Sequence, residues 1–130
     1  MNQLARAILI LNVPLLLWLG VAIIHDPQFS DPLLGLHAAT RLGETELRAL
    51  NGGALLAFGI ALGWGLFRPS RLSPGLVAAV GIAMACIGSA RTLDLTLHGF
   101  HPTAALFAAT ELITAVACFV HVRHEDRRTS

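Results

Sequence analysis

The chain has 130 residues, of which 55% are apolar and only 13% charged, with a formal net charge of +1. A soluble domain carries about 25% charged residues, and a nucleic-acid-binding domain concentrates basic charge, so the composition excludes both classes. The two cysteines, Cys86 and Cys118, fall inside apolar runs. That excludes a disulfide scaffold, whose cysteines staple the loops of a small secreted domain, and predicts buried thiols acting as small hydrophobes.

The sequence predicts an all-α membrane protein, an antiparallel bundle of four transmembrane helices in a single domain over 1–130. The spans fall at about 4–24, 46–67, 75–97 and 103–122. Each has the length a bilayer core requires, about 20 residues at a rise of 1.5 Å. Breakers separate them: "HDPQFSDP" after the first run, "RPSRLSP" after the second and "HGFHP" after the third. Pro74 and Pro102 sit where helices begin, a position that tolerates proline.

The first run contains Pro14, which removes one backbone hydrogen bond and predicts a kink. Asn12, beside it, is placed to satisfy freed polar groups. Arg6 ahead of an apolar stretch, with Gly20, Val21 and Ala22 as a small-x-small match, resembles a cleaved leader. The apolar run continues past that site, so it reads as a retained helix. After it, Asp31 is placed to cap a short helix with Pro32 at its first position and an apolar stripe of Leu33, Leu34, Leu36 and Leu42. Such a helix lies along the outer membrane surface.

Basic residues choose the orientation. Arg6, Arg68, Arg71, Arg123, Arg127 and Arg128 lie in three segments that four spans bring to one side. The opposite side receives only Arg41. Both termini are therefore expected in the cytoplasm, with the chain in a bacterial inner membrane.

Helices in lipid associate through close packing, so small residues mark contacts. The second run carries Gly52, Gly59 and Gly63 on one face, and the third carries Gly81, Ala85 and Gly88. These stripes predict helix contacts, within the bundle or with another subunit.

Polar residues interrupt the apolar pattern at one level, in the expected outer half. Arg91, Asp94 and His98 share one face of the third span. Glu111 lies at similar depth in the fourth, and Glu46, Arg48 and Asn51 open the second. A charge at a helix centre costs ~2.5–3.5 kcal/mol, while each apolar residue returns only ~0.3–0.6 kcal/mol. Pairing is therefore expected: Arg91 with Glu111, and Asp94 with Arg48. Three readings remain open for this cluster. It is an ion-pair network fixing helix register, a polar-floored pocket for a quinone, lipid or other small amphiphile, or a proton relay through Glu111, Asp94 and His98. His25, His37, His98 and His101 also fall on the outer side, near Asp26 and Asp31. His98-x-x-His101 lacks a second ligand pair, so no metal site is expected. The tail "HVRHEDRR" reads as a solvated end. No phosphate loop, nucleophile triad, haem-attachment pair or zinc signature is present, which weighs against an enzyme.

The segment "ELRALNGGALLAFGIALG", then "GSARTLDLTLHG", then a glutamate in the last helix, resembles a domain-of-unknown-function family of small four-helix bacterial membrane proteins. That family is related to the DoxX-like superfamily. The matching positions are Glu46, Arg48, Ala49, Gly52, Gly53, Gly88, Arg91 and Glu111. Asn51 stands where the family has an aromatic, and His98 where it has Asp. The resemblance implies, by analogy with quinone-linked relatives, an accessory-subunit or quinone-associated role. The expected function is thus a non-catalytic accessory or scaffolding subunit of a larger inner-membrane complex, with other integral membrane subunits and lipids as partners and no nucleic acid. No resident cofactor is expected. The alternative is a binding protein or small enzyme for a quinone, lipid or other apolar molecule at the polar cluster.

Overall fold

A computed structural model of the chain describes residues 2–31, 37–68, 70 and 72–129. Among these every regular element is helical. Helix α1 is Asn2–His25, α2 is Arg41–Phe67, α3 is Ser73–His98 and α4 is Pro102–Thr129. All four are long and apolar enough to cross a membrane. Their large apolar side chains also stay exposed, among them Leu11, Trp18, Ile60, Ile82 and Val116. A soluble protein buries such surface, whereas a bilayer solvates it. The chain is therefore a multi-pass membrane protein.

Two helices are longer than the apolar runs. Helix α2 starts at Arg41 rather than 46, because the Thr40 side chain caps it by accepting from the Gly43 amide at 3.1 Å. Glu44 in the first turn favours the same start. Helix α4 runs on through the charged tail, which holds no Pro or Gly to stop it. The expected surface helix falls largely on residues 32–36, outside the described residues. Arg71 lies outside them too.

Within α2, Leu47–Gly53 is π-helical, flanked by α-helical Arg41–Glu46 and Ala54–Phe67. A wider turn of this kind inserts one residue into the helical register and occurs often at functional sites. It carries Arg48, Asn51, Gly52 and Gly53. Apolar periodicity carries no sign of it.

The chain packs as two compact units, Met1–Asn12 with Ala61–Ser130, and Val13–Ile60. In the second unit, α1 and α2 approach until backbones touch. A Cβ at Gly20 would lie 2.6 Å from the Leu56 nitrogen and 2.9 Å from the Gly52 oxygen. A Cβ at Gly59 would meet the Leu17 side chain at 2.9 Å. Leu17 faces Gly59 and Ile24 faces Gly52, so the two segments run in opposite directions. Trp18 meets Phe29 edge-on at 5.6 Å, which anchors the turn Pro27–Phe29 that Asp26 caps.

In the first unit, α3 and α4 pack along their length. A Cβ at Gly81 would lie 2.8 Å from the Cys118 Cβ, and one at Gly88 would lie 2.9 Å from Leu112 Cγ and 3.2 Å from the Glu111 Cβ. These two helices also run in opposite directions. Leu9, Leu62, Val77, Val80, Met84, Ala115 and Cys118 form the core of this unit. Ser73 orders the entry to α3, donating to the Arg68 carbonyl and accepting from the Ser70 amide at 3.0 Å. Gly99 ends α3 at φ 101°, a conformation that favours glycine. Cys118 is buried and free as expected, but Cys86 is free and exposed on the apolar surface. Its position in α3 points it away from the packed face that Gly81 and Gly88 define.

Candidate functional site

The α3–α4 contact holds the one covered charge pair among the described residues. Gly88 has no side chain, so α4 comes close there, and Glu111 sits beside it. One turn further along α3, Arg91 reaches across. Its Nε donates to both Glu111 carboxylate oxygens, at 3.0 and 3.1 Å. The guanidinium carbon lies 5.5 Å from the centre of the Phe107 ring, one turn before Glu111 on α4. An aromatic face at that range attracts the cation. The pair is partly covered, with side-chain exposures of 32% for Arg91 and 15% for Glu111.

The way Arg91 is used matters chemically. A guanidinium carries five N–H donors in a planar fork. Here only Nε is bonded, and the two terminal nitrogens make no hydrogen bond to any described residue. Four donors thus remain on a side chain one-third exposed, inside a segment apolar enough to span a membrane. That arrangement suits an acceptor oxygen on an otherwise apolar molecule.

Asp94 and His98 lie on the same helix but in another environment. His98 Nδ1 and Asp94 Oδ1 are 2.7 Å apart, with both side chains mostly exposed. Asp94 thus takes its partner from its own helix rather than the expected Arg48. Arg48, in its turn, donates from Nε to the Ile24 carbonyl at 3.1 Å and lies 3.7 Å from Glu44. It satisfies a carbonyl in the last turn of α1, which helix geometry leaves without a donor.

The other residues of the expected cluster belong to the second unit. Glu46 is exposed, and Asn51 is half-buried in the π-helical turn. Together with His37, Ala38, Gly43, Leu47 and Leu50 they line an open pocket of about 360 Å³. Of the expected contact residues, Gly52, Gly59, Gly81 and Gly88 are buried in close helix approaches, while Gly63 and Ala85 are half-buried.

Two features of α4 continue the face on which Glu111 lies. Thr114 is 2% exposed, and its hydroxyl contacts the Asn12 side-chain oxygen at 3.3 Å and the Thr110 carbonyl at 2.8 Å. Asn12 in turn donates to the Ile8 carbonyl at 2.9 Å. Its amide therefore serves a contact with α4, and not the Ile10 carbonyl that Pro14 deprives of a donor. The second feature is His121, 8% exposed, whose Nδ1 is buried without a hydrogen-bond partner, as is Nδ1 of His124. The signal was present as spacing: 111, 114, 118, 121 and 125 lie on one helical face. The expectation of a solvated tail hid its last members.

No curated protein and no solved structure matches the chain. Residues 4–122 match the family model described as Domain of unknown function (DUF4345), and the chain belongs to that family.

Proposed function

We propose that this protein binds an amphiphile in the membrane, taking an oxygen-bearing head group at Arg91 and leaving the apolar body against the helices. A quinone or a lipid has the required chemistry. The observation that carries this reading is the free fork of Arg91: four N–H donors left over after Glu111 is satisfied, on a part-exposed side chain beside Phe107. Donors in an apolar medium that lack acceptors are costly, and a ligand oxygen removes that cost. Glu111 holds the fork in place through Nε, and Phe107 offers a flat apolar wall.

The wider setting is part of the same proposal. The helices form an antiparallel bundle in a bacterial inner membrane, with both termini cytoplasmic, as the distribution of arginines supports. The likeness to DoxX-like proteins fits a quinone-linked role. An accessory-subunit role drew its support from small-residue faces free to dock a neighbour. Gly59 meets Leu17, and Gly81 and Gly88 meet α4, so those faces serve packing within the chain and ligand binding becomes the better-supported role.

The test is purification from the native membrane in mild detergent, with mass spectrometry of lipid-soluble molecules and proteins that accompany the chain. The wild type is expected to retain one class of oxygen-bearing amphiphile, and Arg91→Lys, which keeps the charge but loses the fork, to lose it while remaining folded. Equal retention by the variant, or a stoichiometric protein partner in place of a small molecule, overturns the reading.

A further inference from the structure

The inward face of α4 carries an unbroken series of groups able to hand on protons. Glu111, Thr114, Cys118, His121 and Glu125 are spaced three, four, three and four residues apart, which puts them in one line along the helix. The line faces protein and not lipid. Thr114, Cys118 and His121 are buried, Glu111 and Glu125 half-buried, and Ile113, Val116, Phe119 and Arg123 on the other faces are exposed. An apolar helix needs none of these five groups for packing in lipid, where Leu or Ala serves as well.

The spacing is short enough for transfer through water. Successive members lie about 4.5 or 6 Å apart along the axis, a gap that single bridging waters close. The buried atoms indicate where such waters belong. Nδ1 of His121 and Nδ1 of His124 are both sealed from solvent without a hydrogen-bond partner, and a buried polar atom left so calls for an internal water or a transferable proton. The Thr114 hydroxyl already has two acceptors for its one hydrogen, the Thr110 carbonyl and the Asn12 amide oxygen. It therefore has two orientations available, as a relay hydroxyl requires. Arg91 faces Glu111 at one end of the line, and Arg6, His124 and Glu125 are the charged or titratable groups acting on His121 at the other.

We propose that this face of α4 is a proton path across the membrane, running between Glu111 and the His121, His124 and Glu125 group. Each hand-over breaks an O–H, S–H or N–H bond on one member and forms one on the next. One proton therefore enters at one end for each that leaves at the other, and an imposed gradient suffices to drive it. The path does not depend on a ligand at Arg91.

The full chain, reconstituted into vesicles of phosphatidylethanolamine and phosphatidylglycerol with a trapped pH dye, provides the test under a potassium diffusion potential. Wild-type vesicles are expected to take up protons faster than protein-free ones. Thr114→Val, which keeps the shape but removes the hydroxyl, and Cys118→Val are expected to bring the rate down to that of protein-free vesicles. Cys118→Ser, which restores a proton carrier, and Thr110→Val, on the exposed face, are expected to keep it. Helical circular dichroism and a monodisperse elution profile identify variants that fold, and the comparison is drawn on those. Wild-type flux equal to the protein-free rate overturns the path, and so does Thr114→Val flux equal to wild type. Equal loss in Cys118→Ser and Cys118→Val overturns it as well, because it makes position 118 a packing site only.

Discussion

The α1–α2 contact and the α3–α4 contact use the same device for different ends. Both are built on glycines at helical spacing, and both bring two helices into close contact. At Gly20 the space is filled by backbone, the Leu56 nitrogen and the Gly52 oxygen, and at Gly52 by the side chain and backbone of Ile24. At Gly81 and Gly88 it is filled by side chains of α4, those of Cys118, Leu112 and Glu111. The first arrangement gives van der Waals contact, with one hydrogen bond beside it from Arg48 to the Ile24 carbonyl. The second lets polar side chains sit between helices, where Arg91 can reach Glu111. Small residues in a membrane helix therefore do not announce their role. What lies opposite them decides it.

The largest effect is expected where the polar contact is broken on one side. Arg91→Leu leaves the Glu111 carboxylate with 15% side-chain exposure and no partner. Removing one member of a covered pair costs about 3 kcal/mol or more. Adding Glu111→Gln removes the stranded charge and is expected to restore part of the loss. Unfolding of the wild type, the two single variants and the double variant in detergent completes a double-mutant cycle, and strictly additive effects would show that the two residues do not share a contact in the membrane.

A smaller effect separates the two kinds of glycine. Gly20→Ala places a methyl group against backbone that cannot rotate aside, and overpacking of this sort costs about 2 kcal/mol. Gly88→Ala places it against Leu112 Cγ at 2.9 Å, where a side chain can change rotamer, and about 1 kcal/mol is expected. Thermal unfolding of the two variants side by side measures the difference. If Gly88→Ala is the more damaging, the α3–α4 contact is the more rigid of the two.

Much of this architecture is legible in the residues alone. Run length and breakers locate four spans because a bilayer imposes a length on any helix that crosses it. Arg91 and Glu111 stand out because a charge in such a span is costly enough to require a reason. The helix ends were harder. Thr40 and Glu44 carry the start of α2 through a cap and a first-turn charge, in a segment too polar to look like a span. The π-helical turn at Leu47–Gly53 depends on how neighbouring helices settle, which apolar periodicity cannot express. His121 was missed for a related reason. Beside Arg123 and Glu125 it resembles a solvated tail, and only the continuation of α4 to Thr129 places it on the buried face.

The smallest effect is expected at Asp94, and it sharpens the account of Arg91. Asp94 and His98 form the shortest acid–base contact among the described residues, 2.7 Å, with side chains 67% and 73% exposed. Arg91 and Glu111 are no closer, yet less than half as exposed. Distance alone would rank the Asp94 contact first. Solvent access reverses the order, because an exposed pair at this spacing contributes only about 0.3–0.5 kcal/mol. Both residues lie in the last turns of α3, next to Gly99, where the helix ends and headgroups or water can reach them. Asp94→Asn is therefore expected to leave unfolding in detergent within about 0.5 kcal/mol of wild type and to leave any amphiphile bound at Arg91 in place. A loss comparable with that of Arg91→Leu would mean that Asp94 is covered in the membrane by something other than this chain, and the exposed end of α3 would then be a contact surface.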